Sequence, residues 1–337
     1  MKKKNQLLAV LAAGLLAAPM VAQADYDFQL FEYPGSTSDQ VFGINNRGDV
    51  AGNGIVDPDG IPYVYDTKKG GFTNVTPVAG FDQTVVFGIS DKGVLVGSVR
   101  NFDPDPPFDD KVSGLIIDKN GASTVFDHPD AVSFTQARGV NNKGLVTGYR
   151  DSATIQRVGF IYDPKTGTFT DIDTVPSFNT LAHGINSKGN VVGSAFFSDA
   201  DDPCNPGNIG FVRYGWWRAK DGTVTYFQIN GDWTAARGIT DSGTIAGFVN
   251  DSASGLTKGF VTELDGSQCQ SVAIAAGDLL VVPGFDGLYP EGITKSGVIV
   301  GSAGSGEVGS PFHGFIATPD KKDKKDKKGK KGKKGKK

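Results

Sequence analysis

Residues Phe42 to Gly52 read FGINNRGDVAG, and the pattern returns as FGISDKGVLVG from Phe87, RGVNNKGLVTG from Arg138, HGINSKGNVVG from His183, RGITDSGTIAG from Arg237 and EGITKSGVIVG from Glu291. The first glycines of the six copies, Gly43, Gly88, Gly139, Gly184, Gly238 and Gly292, stand 45, 51, 45, 54 and 54 residues apart. Six copies in one register are the signature of a repeat architecture, and the period redefines the fold problem as one unit repeated. Each copy reads as a hairpin. An apolar strand runs into Asn/Ser/Thr-x-x-Gly, where the polar side chain bonds the turn backbone and the glycine takes positive φ, and a valine-rich strand returns.

A second signature follows each hairpin: PYVYD from Pro62, GLIID from Gly114, GFIYD from Gly159, GFVRY from Gly210, GFVTE from Gly259 and GFIAT from Gly314. In most copies a glycine turn then leads to a fourth strand, such as Thr168 to Ile172 or Val224 to Ile229. Four short antiparallel strands per unit is the size of one propeller blade. The sixth copy runs out after its third strand, while an orphan strand, Tyr26 to Tyr33, precedes the first. If the orphan supplies the missing outer strand, no terminal edge is left unpaired. The expected fold is all-β, a six-bladed β-propeller of four-stranded blades over residues 25–320, the ring closed by the N-terminal strand.

The two ends are of different character. Lys2, Lys3 and Lys4, the apolar stretch Leu7 to Val21 and Ala22-Gln23-Ala24 have the three parts of an export leader over residues 1–24. The stretch is short for a membrane span, which needs about 20 apolar residues. An exported protein of the periplasm, cell surface or exterior is expected, not membrane-spanning, and monomeric. Residues 321–337 hold twelve lysines, two aspartates and three glycines, a disordered arm near +10 on a body near −16. Such an arm would engage a polyanionic surface, polysaccharide or nucleic acid through counterion release, or fold back on the acidic body. Two cysteines are no disulfide framework. Cys204 is expected in the loop between second and third strands and Cys269 in a hairpin at the opposite face, so the two are expected not to be bridged.

Candidate sites follow from the strand order. The loops between second and third strands carry Asp57 and Asp59, then Asp103, Asp105, Asp109 and Asp110, then Asp151, then Asp199, Asp201 and Asp202, then Asp251, then Glu307. A Ca²⁺ ion would take the carboxylates of Asp199, Asp201 and Asp202 with Asn205. A solvated acidic rim is the simpler account, because the ordered calcium-loop pattern is missing. The residue before each first glycine varies around the ring: Phe42, Phe87, Arg138, His183, Arg237 and Glu291. Arg138 and Arg237 can clamp an anion while His183 and Glu291 exchange a proton, or the four can be paired structurally. Tyr214, Trp216, Trp217 and Trp233 gather in the fourth copy, where a sugar-binding face would need exposed rings. Because adjacent strand residues point to opposite faces, one of Trp216 and Trp217 is expected in the core. The chain has three histidines, and it contains no metal-ligand spacing, no Gly-x-Ser-x-Gly elbow and no phosphate loop followed by a helix.

The six Gly-Ile-Asn-x-x-Gly-x-Val-x-Gly units, each followed by a Gly-Phe strand, resemble the extracellular bacterial repeat proteins of the HAF family. The nearest approach to the eponymous triplet is His313-Gly314-Phe315. The resemblance implies export and a repeat fold and transfers no catalytic residue. Two functions are therefore carried forward: a binding or scaffold propeller, and a secreted hydrolase or lyase working at the propeller mouth around His183.

Overall fold

The computed structural model describes residues 22–23, 26–56, 59–102, 110–154, 156–172, 179–198, 201–206, 210–305 and 310–320. The leader to Val21, the lysine-rich arm 321–337, and Asp57, Asp103, Asp105, Asp109, Asp199 and Glu307 lie outside them. The described residues form strands and turns with no α-helix, and no helix among them is long and apolar enough to cross a membrane.

The hairpin of each repeat folds as the pattern predicts. In the first unit, Ser38–Ile44, Asp49–Val56, Asp59–Asp66 and Gly71–Asn74 pair successively antiparallel. The turn between its first two strands depends on Asn45, whose Oδ1 accepts the N–H groups of Arg47 and Asp49 at 2.9 and 3.0 Å, while Gly48 sits at φ 93°. An L side chain resists that backbone region, so glycine belongs there. Ser90, Asn141, Asn186, Thr240 and Thr294 play the part of Asn45 in the later turns. The Asn Nδ2 group also donates to the next unit, from Asn45 to Ser90 O, Asn141 to Asn186 O and Asn186 to Thr240 O, each at 3.0 Å. One side chain thus shapes its turn and ties neighbouring units together.

The core lies between units, in six apolar seams. Val41, Tyr63 and Phe31 fill the seam between sixth and first units; Val86, Leu115 and Ala51 the next; Val96, Ala137 and Phe160 the third. Trp216, Phe197 and Ile172 fill the fourth, Phe227, Phe260 and Ile245 the fifth, and Phe315, Leu288 and Ala246 the sixth. Burying one face of each sheet on the next is how such repeats obtain a core that no single unit could make.

Inter-unit parallel bridges, Arg157 to Asn179 and Thr257 to Gly287, join the third unit to the fourth and the fifth to the sixth, so hydrogen bonding groups the strands into four sheets. The orphan strand Tyr26–Phe31 pairs antiparallel with His313–Pro319, so it joins the sixth unit, and the short strand Ala22–Gln23 pairs outside it. The architecture is all-β and propeller-like.

Two expectations are corrected in the fifth unit. It keeps three strands, Trp233–Ile239, Ile245–Asp251 and Leu256–Thr262, whereas Cys269–Val272, expected as part of its own hairpin, crosses over and pairs parallel with Val224–Ile229 of the fourth unit. Leu280 fills the vacated place by exchanging both backbone hydrogen bonds with Gly259 at 2.7 and 2.8 Å. The crossing carries Cys269 to the fourth unit's edge, where the loop after Val191–Phe197 brings Cys204. The two cysteines are bridged, with Cα atoms 5.6 Å apart, contrary to the expectation from loop position.

Candidate functional site: the axial mouth

In every unit the pairing of first and second strands slips by one residue, between Val41 and Gly43, Val86 and Gly88, Ala137 and Gly139, Ala182 and Gly184, Ala236 and Gly238, and Pro290 and Gly292. The residue skipped by each β-bulge is Phe42, Phe87, Arg138, His183, Arg237 or Glu291. A bulge re-aims its extra side chain, and all six line one cavity of about 100 Å³. The glycine after each bulge lets the next unit come close. A Cβ on Gly43 would lie 2.7 Å from Phe87 O, on Gly88 2.7 Å from Arg138 O, on Gly139 2.3 Å from His183 O and on Gly184 2.6 Å from Arg237 O. On Gly238 it would meet Ile293 N, and on Gly292 Ile44 N, both at 3.0 Å, which returns the circuit to its start. Residue type and backbone approach together explain why Gly stands at this position in every copy.

Ile44, Ile89, Val140, Ile185, Ile239 and Ile293 form the floor of the mouth and the ceiling of a second cavity of about 90 Å³ among the turns. That apolar septum separates two polar chambers. The lower chamber is belted by hydrogen bonds: Asp91 accepts from Asn46 N and Nδ2 and from Asn142 Nδ2 at 2.7 to 3.0 Å. Burial works against ionisation of Asp91, and these donors, with Lys295 nearby, outweigh it and hold its pKa below the usual carboxylate range.

The mouth itself is polarised. Phe42 and Phe87 meet edge to face with ring centres 4.8 Å apart, and the Arg138 guanidinium stands 4.2 Å from the Phe87 ring centre and 5.0 Å from that of Phe42. Opposite them, Glu291 is the carboxylate that both arginines share, at 3.5 Å from Arg138 Nη2 and 3.6 Å from Arg237 Nε. These are ion-pair separations longer than good charge-assisted hydrogen bonds, which run at about 2.8 Å. Arg237 Nη1 lies 3.0 Å from His183 Nδ1 and 3.1 Å from its Nε2, so the guanidinium caps the imidazole.

A third guanidinium stands behind this layer. Arg213, from the third strand of the fourth unit, packs on Phe196 and Phe248 at 4.8 and 5.4 Å. Burial first and Arg237 second bring its pKa down to about 10, with Glu291 opposing. Burial also lowers the pKa of Arg237. His183, 5 % exposed, is held well below the usual imidazole range by burial and then by Arg237, Arg138 and Arg213. Among the described residues, two guanidiniums in the mouth and a third behind it thus stand near one carboxylate and a neutral imidazole. Sequence periodicity found the bulge residues. It missed Arg213, which belongs to the second signature and stands behind the residues that line the mouth.

The remaining candidates fall elsewhere. Trp216 is fully buried in the fourth seam and offers no ring face, whereas its neighbour Trp217 is half-buried, the alternation expected of a strand. Asp202 is 3 % exposed and its Oδ1 accepts Cys204 N, Asn205 N and the Tyr214 hydroxyl at 2.9 to 3.0 Å, so its carboxylate pins the loop. Asp201 accepts from Ser198 Oγ at 3.4 Å. Other rim acids also serve the backbone: Asp151 accepts the N–H groups of Val132, Ser133 and Phe134, and Asp251 pairs with Lys258 at 2.6 Å. His128, Asp130 and Asp171 lie within 4.8 Å of one another. There His128 Nδ1 accepts Asp130 N, Nε2 stands 3.1 Å from Asp171, and Arg150 lies 2.8 Å from the same carboxylate, so the cluster is internally paired.

No protein-family model and no curated protein matches the chain. Among solved structures it is similar to TolB from Acinetobacter baumannii, with TM-score 0.50 and 9 % identity over 72 % of this chain and 61 % of that one. The tricorn protease gives 0.48 and 12 %, covering 79 % of this chain and 25 % of that one. An acylaminoacyl peptidase gives 0.47 and 9 %, covering 88 % and 47 %. At such identities the likeness to TolB concerns the fold alone.

Proposed function

We propose that the chain is an exported binding protein of HAF-repeat type, a six-bladed propeller closed by Tyr26–Phe31, whose mouth receives a small anion such as phosphate, sulfate or a ligand's carboxylate. The observation that carries this reading is the charge imbalance: among the described residues, Arg138, Arg213 and Arg237 are set against Glu291. Buried cations lacking counter-charge are costly, and an oxyanion with several acceptor oxygens relieves that cost. Turnover is the weaker reading, because a base must be free to take a proton. His183 is capped by Arg237 and held neutral among three guanidiniums. The arm Lys321 to Lys337 adds a second, salt-sensitive attachment to polyanions, and the acidic rim serves chiefly to brace loops.

Thermal unfolding in phosphate, sulfate, acetate and chloride tests the mouth. An anion bound at about a hundred times its Kd adds about 2.7 kcal/mol of stability. Phosphate or sulfate should raise Tm in the wild type and much less in Arg237→Gln and Arg138→Gln. Equal Tm in all four salts would remove the anion reading. For the arm, heparin binding should weaken steeply with salt and vanish on truncation after Asp320; binding that survives truncation would refute that role.

A further inference from the structure

The strand that leaves the fifth unit opens a groove on the outer edge of the fourth. Its volume is about 520 Å³, within the range of small-molecule sites. The Cys204–Cys269 bridge and Tyr214 line it. Asp202 fixes both, bonding the Cys204 and Asn205 N–H groups and the Tyr214 hydroxyl, so the groove is formed before any ligand arrives.

Its chemistry is distinctive. Four large apolar side chains are exposed among the described residues, Phe102, Val132, Phe211 and Trp233, and two of them flank this groove: Phe211 at 63 % and Trp233 at 46 %. The lining also holds neutral hydrogen-bonding groups, the amides of Asn205 and Gln228 and the hydroxyl of Ser271, while the Gln270 amide is engaged by Asp265 N and Ser267 O at 3.3 and 3.0 Å. Gln228 donates one long hydrogen bond, 3.4 Å to Arg213 O, which leaves its carbonyl and second N–H for a ligand. No lining residue among those described is charged.

From this combination we infer that the groove binds a neutral oligosaccharide, with Trp233 and Phe211 packing on the C–H faces of sugar rings and the amides taking hydroxyl groups. An aromatic ring presents an apolar face of the size and flatness of a pyranose. A charged polymer would find no counter-charge there, and an apolar peptide would strip water from the Asn205 and Gln228 amides and the Ser271 hydroxyl without replacing it. The site is separate from the mouth and does not depend on its occupancy.

Isothermal titration and ligand-detected NMR with cellotetraose, chitotetraose and maltotetraose, with tetragalacturonate as the acidic control, test the inference. At least one neutral tetrasaccharide should bind saturably. Affinity should fall at least about tenfold in Trp233→Ala and in Gln228→Leu, stay near wild type in Trp233→Phe, and be unchanged in Arg237→Gln. Trp233 is half-exposed, so its variants should keep the wild-type circular dichroism. Silence from all three neutral sugars at about 10 mM, binding that survives Trp233→Ala, or binding of tetragalacturonate alone would each overturn it.

Discussion

Replacing Gly139 by Ala tests the packing around the axis. The added Cβ would lie 2.3 Å from His183 O and 2.7 Å from Thr147 Oγ1, against a comfortable separation of about 3.5 Å for non-bonded heavy atoms. The oxygen belongs to backbone, and no rotamer change removes it. Two neighbouring first strands must part by about 1 Å, which also strains the Thr147 hydroxyl bond to His183 O at 2.8 Å. Overpacking of this kind costs about 3 kcal/mol, the upper part of its usual range. With an unfolding entropy of about 2.1 cal/mol/K per residue over about 300 residues, that loss lowers Tm by about 5 °C. Gly71→Ala is the control, since a Cβ there meets nothing within 4 Å. The assay is calorimetric unfolding of both variants at one pH and salt concentration. If Gly139→Ala unfolds within about 1 °C of Gly71→Ala, the close approach of the strands is not the reason for glycine at this position, and the account of all six fails with it.

Removing the bridge by Cys204→Ser with Cys269→Ser reopens a loop closed across 65 positions, for which chain entropy gives about 4 kcal/mol, seen as a fall in Tm; peptide mapping without reductant should recover the two cysteines joined. His183 and His128 are both held neutral by burial, so the unfolded chain binds protons that the folded chain refuses. Their contribution to stability is present above the ordinary imidazole pKa and is lost as pH falls below it toward their depressed folded values, and His183→Gln should flatten that part of a pH series of Tm values. Glu291→Gln leaves the three guanidiniums without a carboxylate, so the variant should melt lower than wild type in dilute chloride and gain more from phosphate; an equal gain would mean that Glu291 does not compete with the anion.

The repeat made much of this molecule legible. Asn45 and Gly48 announce their turn by residue type, and the glycine after each bulge marks the position that meets the next unit. The same register identified Phe42, Phe87, Arg138, His183, Arg237 and Glu291 as one set, and one cavity contains them. What stayed hidden depends on long paths through space. Nothing local in Cys269–Val272 says whether it pairs with its own unit or the previous one, because both edges offer the same backbone groups. That choice decided the disulfide. Arg213 was hidden because its strand belongs to the less regular second signature, and Asp151 and Asp202 read as rim charge because a carboxylate bound to backbone N–H groups looks the same in sequence as a solvated one.

The strand Tyr26–Phe31 and its partner His313–Pro319 are almost 300 residues apart in sequence. During synthesis, Phe28, Leu30 and Phe31 emerge long before the strand that will cover them exists. For that interval the nascent chain carries an apolar, unpaired strand, a template for association with other copies. Pairing of the two strands must wait for the whole stretch between them, and contacts that distant in sequence are slow to form. A chaperone that occupies this one strand would protect the whole molecule until its C-terminal partner arrives.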